Sequence, residues 1–136
     1  MSFKENLDLL ISKATAEIPA LLVIAGLTAL DEYVYGGPSD SEYKSLGFYI
    51  GPSDETPTDK RFKPVIQLQL PGISYEESLK YYHVIYDYLY YSLNVTDIKM
   101  TGMDRLSTEE FPPDQTGSTI HFFYLEFFEE LDDCDL

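Results

Sequence analysis

The stretch Lys63 to Leu93, KPVIQLQLPGISYEESLKYYHVIYDYLYYSL, holds seven of the chain's twelve tyrosines and decides the fold. It opens as a strand, with Val65, Gln67 and Gln69 on one side and Ile66, Leu68 and Leu70 on the other. Pro71 cannot donate to a ladder and Gly72 tolerates positive φ, so the strand is expected to end there. Ser74, with Glu77 three residues on, has the form of a capping box and places a helix start at about Ser74. Leu79, Tyr82, Tyr86, Leu89 and Leu93 recur at the spacing of one helix face, which is expected to lie on the sheet. A second row, Tyr81, Ile85, Tyr88 and Ser92, runs beside it, widened by Tyr90 and Tyr91. That row either completes a helix lying on a sheet or meets another chain, a seam where tyrosine combines large area with a hydroxyl. Tyr81, Tyr88 and Tyr91 are therefore the candidate subunit-interface residues.

Working outward, Ser2 and Glu5 suggest another capping box, opening a helix with Leu7, Leu10, Ile11 and Ala14 on one face. Glu17-Ile18-Pro19 marks an expected boundary, because the residue before proline avoids the helical region. Pro19 to Leu30 fits a second helix or a buried strand, its alanines favouring helix. Glu32 to Tyr35 and Ser45 to Ile50 read as short strands, each followed by Gly-Pro-Ser-Asp, which is turn chemistry. Gly51 to Arg61 reads as a polar loop, Asp97 to Met103 as a strand, and Asp104 to Gly117 as a long acidic loop. Thr119 to Leu131, with aromatic residues on both faces, reads as a central or doubly covered strand. The expected fold is α+β: a mostly antiparallel sheet with helices packed on one face, in one domain over residues 1–131. Residues 132–136 form an acidic tail, and nothing after Glu130 is expected to pack.

Composition narrows the function. The formal charge is −15, from 24 acids against 9 bases, which disfavours nucleic acid and anionic membrane as direct partners. A single cysteine, Cys134, rules out a disulfide scaffold or a multi-thiolate metal site. No signal peptide opens the chain and no apolar run is long enough to span a bilayer, so a cytoplasmic protein is expected. The two histidines, His83 and His121, form no nucleophile–base constellation. His83 with Asp87 is two metal ligands without a third, and no motif of catalysis or nucleotide binding is present. Neither an enzyme nor a cofactor-binding or metal-binding protein is expected.

In order and spacing, Ser45 to Arg61, Lys63 to Leu93 and Gly117 to Leu131 resemble the tail terminator family of long-tailed bacteriophages, minor tail proteins related to tail-completion and neck proteins. The apolar Pro19 to Leu30 segment and the acidic tail depart from that pattern. The resemblance implies a structural virion protein at the tail–neck junction, assembled in the host cytoplasm. It would cap the tail tube as a homohexameric ring and meet the tail tube protein and a neck or connector protein. DNA would pass through its channel without specific binding. Asp54, Glu55, Asp59, Lys60 and Arg61, with Asp104, Glu109, Glu110 and Asp114, would then be the tube or neck contact loops. The alternative from another class is an acidic interaction protein, an immunity protein or DNA mimic that blocks a basic partner.

Overall fold

The computed structural model describes residues 3–51, 59–113 and 117–130. Ser2, Asp54, Glu55, Asp114 and the tail at 132–136 lie outside them. In chain order the elements are α1 (Phe3–Ile24), β1 (Glu32–Tyr35), β2 (Ser45–Ile50), β3 (Asp59–Phe62), β4 (Pro64–Pro71), α2 (Tyr75–Asp87), β5 (Gly102–Phe111) and β6 (Ser118–Glu130). A π-helical turn, Tyr88–Ser92, extends α2, and a 3₁₀ turn, Val95–Ile98, leads toward β5. The six strands form one sheet, antiparallel except for the parallel β1–β2 pair.

The thirteen-residue β6 organises this sheet. One of its edges pairs with β4 and then with β3, and the other pairs with β5. Alternation along β6 sends His121, Phe123, Leu125 and Phe127 into the core and Phe122, Tyr124, Glu126 and Phe128 to the opposite face. The same inner face continues through Ile66, Leu68 and Leu70 of β4 and Leu46 and Phe48 of β2, in register across the ladder. Both helices cover this face, and their buried residues join one core cluster with it. The expectation of an α+β sandwich with helices on one side holds.

Three local readings are corrected. First, the chain does not break at Pro19: α1 runs through it. An interior proline costs about 3 kcal/mol. Against that, Leu7, Leu10, Ala14, Ile18 and Leu22 form one unbroken buried stripe across the proline. Burying a Leu or Ile side chain is worth roughly 1.5–3 kcal/mol, so keeping Ile18 and Leu22 in place outweighs the lost bond. The helix stops at Gly26 instead, at φ +75, where Gly26 N–H donates to Val23 O and Leu27 N–H to Leu22 O in a Schellman closure.

Second, the polar loop before Lys63 contains β3, which keeps the register of β4 against β6 across Lys63 and Pro64. Phe62 stacks on Phe127 at 5.9 Å and holds it there. Third, Asp97 to Met103 is not a strand and Asp104 to Phe111 is not a loop. Asn94 caps the 3₁₀ turn, its side chain accepting from Thr96 N–H, and Lys99 takes the left-handed region at φ +60. The strand therefore begins at Gly102 and continues to Phe111, its polar residues carried by pairing with β6.

Gly47 shows how closely the β1–β2 corner is built. A Cβ there would lie 1.9 Å from the Gly36 carbonyl oxygen. Gly47→Ala is expected to destabilise the fold by about 1–3 kcal/mol through forced backbone displacement. Thermal melting reads this directly, and an unchanged midpoint would contradict the packing.

Candidate assembly surfaces

The capping residue of α2 behaves as its sequence demands. Ser74 is extended at φ −62, ψ 151, and its hydroxyl accepts from Glu77 N–H. From that start the two aromatic rows of α2 diverge in role. Tyr82 stacks on Phe123 at 5.5 Å and its hydroxyl meets Thr108 at 3.1 Å, so this residue of the first row lies on the sheet. The second row turns toward α1 and the segment after it. Tyr81 is fully buried, its hydroxyl donating to Thr28 O at 2.8 Å. Tyr88, 1% exposed, donates to Glu17 at 3.1 Å, and burial beside that carboxylate raises its pKa well above the ordinary phenol range.

Tyr81 and Tyr88 are therefore not surface residues awaiting a neighbour. They are packed inside one chain, Tyr88 bonded to Glu17 of α1 and Tyr81 to Thr28 just beyond that helix. Tyr91 differs: it is 75% exposed on the π-helical turn, where the extra residue per turn carries it out of both rows. Tyr90 stands beside it, exposed, with ring centroids 4.7 Å apart. Val23 and Ile24 at the end of α1 are also exposed. Ile24 also lines a groove of about 240 Å³ together with Leu21, Ala25, Val84, Asp87 and Tyr88. Exposed apolar side chains gathered around a groove suit contact with another protein.

The second surface is the sheet face away from the helices. Phe111 meets Phe122 edge-on at 5.6 Å, and Phe122 stacks near Tyr124 at 6.1 Å. Tyr124 donates to Glu109 at 2.9 Å, and burial together with that bond raises its pKa. Arg61 lies over Phe128 at 5.6 Å and forms ion pairs with Asp104 and, at 3.5 Å, Glu126. Beside them Lys63, Arg105, Ser107 and Tyr124 rim a depression of about 330 Å³. Of the expected contact-loop residues, the structure thus brings Arg61 and Asp104 together and puts Glu109 on this same face. Asp59 and Lys60 belong to the backbone of β3. Glu110 points the other way, under α2, where its carboxylate accepts from Tyr75 at 2.7 Å.

Sequence reading missed β5 and with it the Phe111–Phe122–Tyr124 cluster. The signal was present: Arg105, Ser107, Glu109 and Phe111 alternate with Leu106, Thr108 and Glu110. Four charges in ten residues disguised it as a loop. His121, read as structural, is buried to 1% exposure, with Nδ1 3.7 Å from Glu110. His83 is an exposed helix residue whose ring lies edge-on to Tyr82. No group of three or more metal-ligating side chains occurs among the described residues, and none of their helices is long and apolar enough to cross a membrane.

No protein-family profile and no curated protein matches the chain. Among solved structures, a chain from the virion of a native gene transfer agent (GTA) particle is similar, with a TM-score of 0.49 and 12% identity over 88% of each chain. A likeness that loose carries no argument about function.

His121 supplies a pH test. Burial lowers its pKa below 6.5, opposed by the Glu110 charge and reinforced by His83. The folded state therefore holds the neutral ring while the unfolded chain binds a proton, so stability falls as pH drops through 6.5 toward the folded value. Relative to His121→Gln, the native protein should lose thermal stability between about pH 7 and 5. Parallel pH profiles for the two proteins would contradict this placement of the ring.

Proposed function

We propose that this chain is a structural protein of a phage-like virion, a subunit that assembles rather than catalyses. The observation that carries the reading is the one-sided sandwich. Both helices cover one sheet face, while the other keeps half-exposed aromatics. Together with the order of elements that resembles the tail terminators, it supports a more specific role. In that role the protein caps the tail tube as a homohexameric ring and joins it to the neck.

A ring needs a heterologous contact that closes on itself. The groove at Ile24, with exposed Tyr91 on the same helix layer, suits one half of that contact. Acidic walls suit a channel for DNA, since repulsion keeps the phosphate backbone from adhering. The proposal includes no cofactor. The tail tube protein and a neck or connector protein are the partners, and the place of action is the tail–neck junction of particles assembled in the host cytoplasm. An acidic inhibitor that mimics DNA needs unpaired carboxylates across a folded face. Here Asp104 and Glu126 are paired with Arg61, and Glu109 is held by Tyr124, which favours the virion reading.

Negative-stain images of the purified protein, alone and with tail tubes, test the reading. Rings, or caps at tube ends, are expected, and Ile24→Glu should abolish them while leaving the melting temperature within a few degrees. A monomer at high concentration by light scattering, unchanged by added tubes, would sink it.

A further inference from the structure

The edge of the sheet at β5 carries a pattern that fits a second copy of the same strand. Edge strands in soluble proteins are normally blunted by charge, bulges or shortness. β5 is ten residues long and pairs with β6 along one side. Among the described residues no strand pairs with its other side. Its outward positions are Arg105, Ser107, Glu109 and Phe111, opposite Glu126, Tyr124, Phe122 and Ile120 of β6. Arg105 and Glu109 are both exposed, and Glu109 accepts from Tyr124 at 2.9 Å through Oε1 alone. Among the described residues no carboxylate forms an ion pair with Arg105, and Glu126, directly across from it, is engaged by Arg61.

Opposite charges two positions either side of Ser107 have a geometric consequence. A copy added antiparallel, with its two-fold axis at Ser107 and perpendicular to the sheet, sets Arg105 against Glu109 twice. A parallel copy in register sets like against like. Antiparallel neighbours that face each other directly interact through their side chains, with opposite charges favourable and like charges unfavourable. The same axis pairs Leu106 with Thr108 on the helix-covered side, so neither face changes character across the join.

The one adverse pairing this register would bring is Asp104 against Glu110. The sequence deals with it through a bulge: the register against β6 shifts between Met103 and Arg105, and Asp104 is tied instead to Arg61. Glu110 is likewise occupied, by the Tyr75 hydroxyl.

We propose that two copies of this chain pair antiparallel through β5 about a two-fold axis at Ser107, joining two six-stranded sheets into one. The occupant of the edge is this chain itself because the charge pattern is complementary to its own reverse. A chain of net charge −15 repels its copy at long range, so the contact is expected to strengthen as salt rises from low to moderate concentration. The contact is independent of the virion reading, since it forms between free subunits and uses neither tube nor neck.

Sedimentation equilibrium and cysteine cross-linking test it with the full chain. Arg105→Glu and Glu109→Arg should each weaken the dimer about tenfold or more, because each turns two attractive pairs into two repulsive ones. The double variant Arg105→Glu/Glu109→Arg restores opposite signs and should recover affinity to within about threefold of native. Both residues are exposed, and unchanged circular dichroism confirms that the variants fold.

In a Cys134→Ser background, Ser107→Cys should be captured as a dimer by a short bismaleimide, since the two positions would lie about 5 Å apart. Loss in both single variants, rescue in the double and efficient capture at position 107 support the proposal. A native protein that stays monomeric, a dimer indifferent to the charge swaps, or a swap-sensitive dimer that position 107 does not capture would each overturn it. None of these results bears on whether rings form on tail tubes, so failure here leaves the virion reading to its own test.

Discussion

Everything else in this protein leans on the inner face of β6. His121, Phe123, Leu125 and Phe127 alternate into the core from the one strand that touches β3, β4 and β5. Burying an aromatic side chain of that size contributes on the order of 1.5–3 kcal/mol. Because the side-chain period is two, a slip of one residue would turn this whole set to the wrong face. That constraint fixes the registers of three neighbouring strands at once. It also seats α2, since Tyr82 packs on Phe123 and His121. With α2 in place, Tyr81 and Tyr88 have one remaining direction, and α1 fills it.

Where local chemistry and packing agree, the sequence was readable. Ser74 caps α2 as its spacing with Glu77 implies, Pro71-Gly72 ends β4, and the alternation of Ile66, Leu68 and Leu70 sets the inner face. Where they compete, local rules misled. Pro19 signals a break, but the stripe from Leu7 to Leu22 needs one continuous helix. The acids of β5 signal a loop, but pairing with β6 makes them a strand, and Asp104 finds a partner in Arg61 of β3 and Glu110 in Tyr75 of α2. The choice between the two faces of α2 was not decidable from periodicity, because it depends on α1, whose length the proline concealed.

The candidate surfaces were legible to a smaller extent for the same reason. Of Tyr81, Tyr88 and Tyr91, the two that keep helical phase are drawn inside, while the one displaced by the π-helical turn stays out. Tyr91 with Ile24 thus marks a patch on the helix layer, and Phe111 with Tyr124 marks another on the bare side of the sheet. A subunit with one face closed by helices and the other left open is suited to assembly, and this is the physical content of the proposed virion role.

In the proposed ring the aromatic helix is consumed inside each subunit, and contact between ring neighbours falls on the patch around Tyr91 and Ile24. Hydroxyl-radical footprinting by mass spectrometry, comparing free subunit with rings or tube-bound caps, measures this at single residues. Tyr91 and Ile24 are expected to lose reactivity on assembly while Tyr81 and Tyr88, already shielded, do not change. Strong labelling of Tyr81 and Tyr88 in the free subunit that disappears on assembly would contradict it.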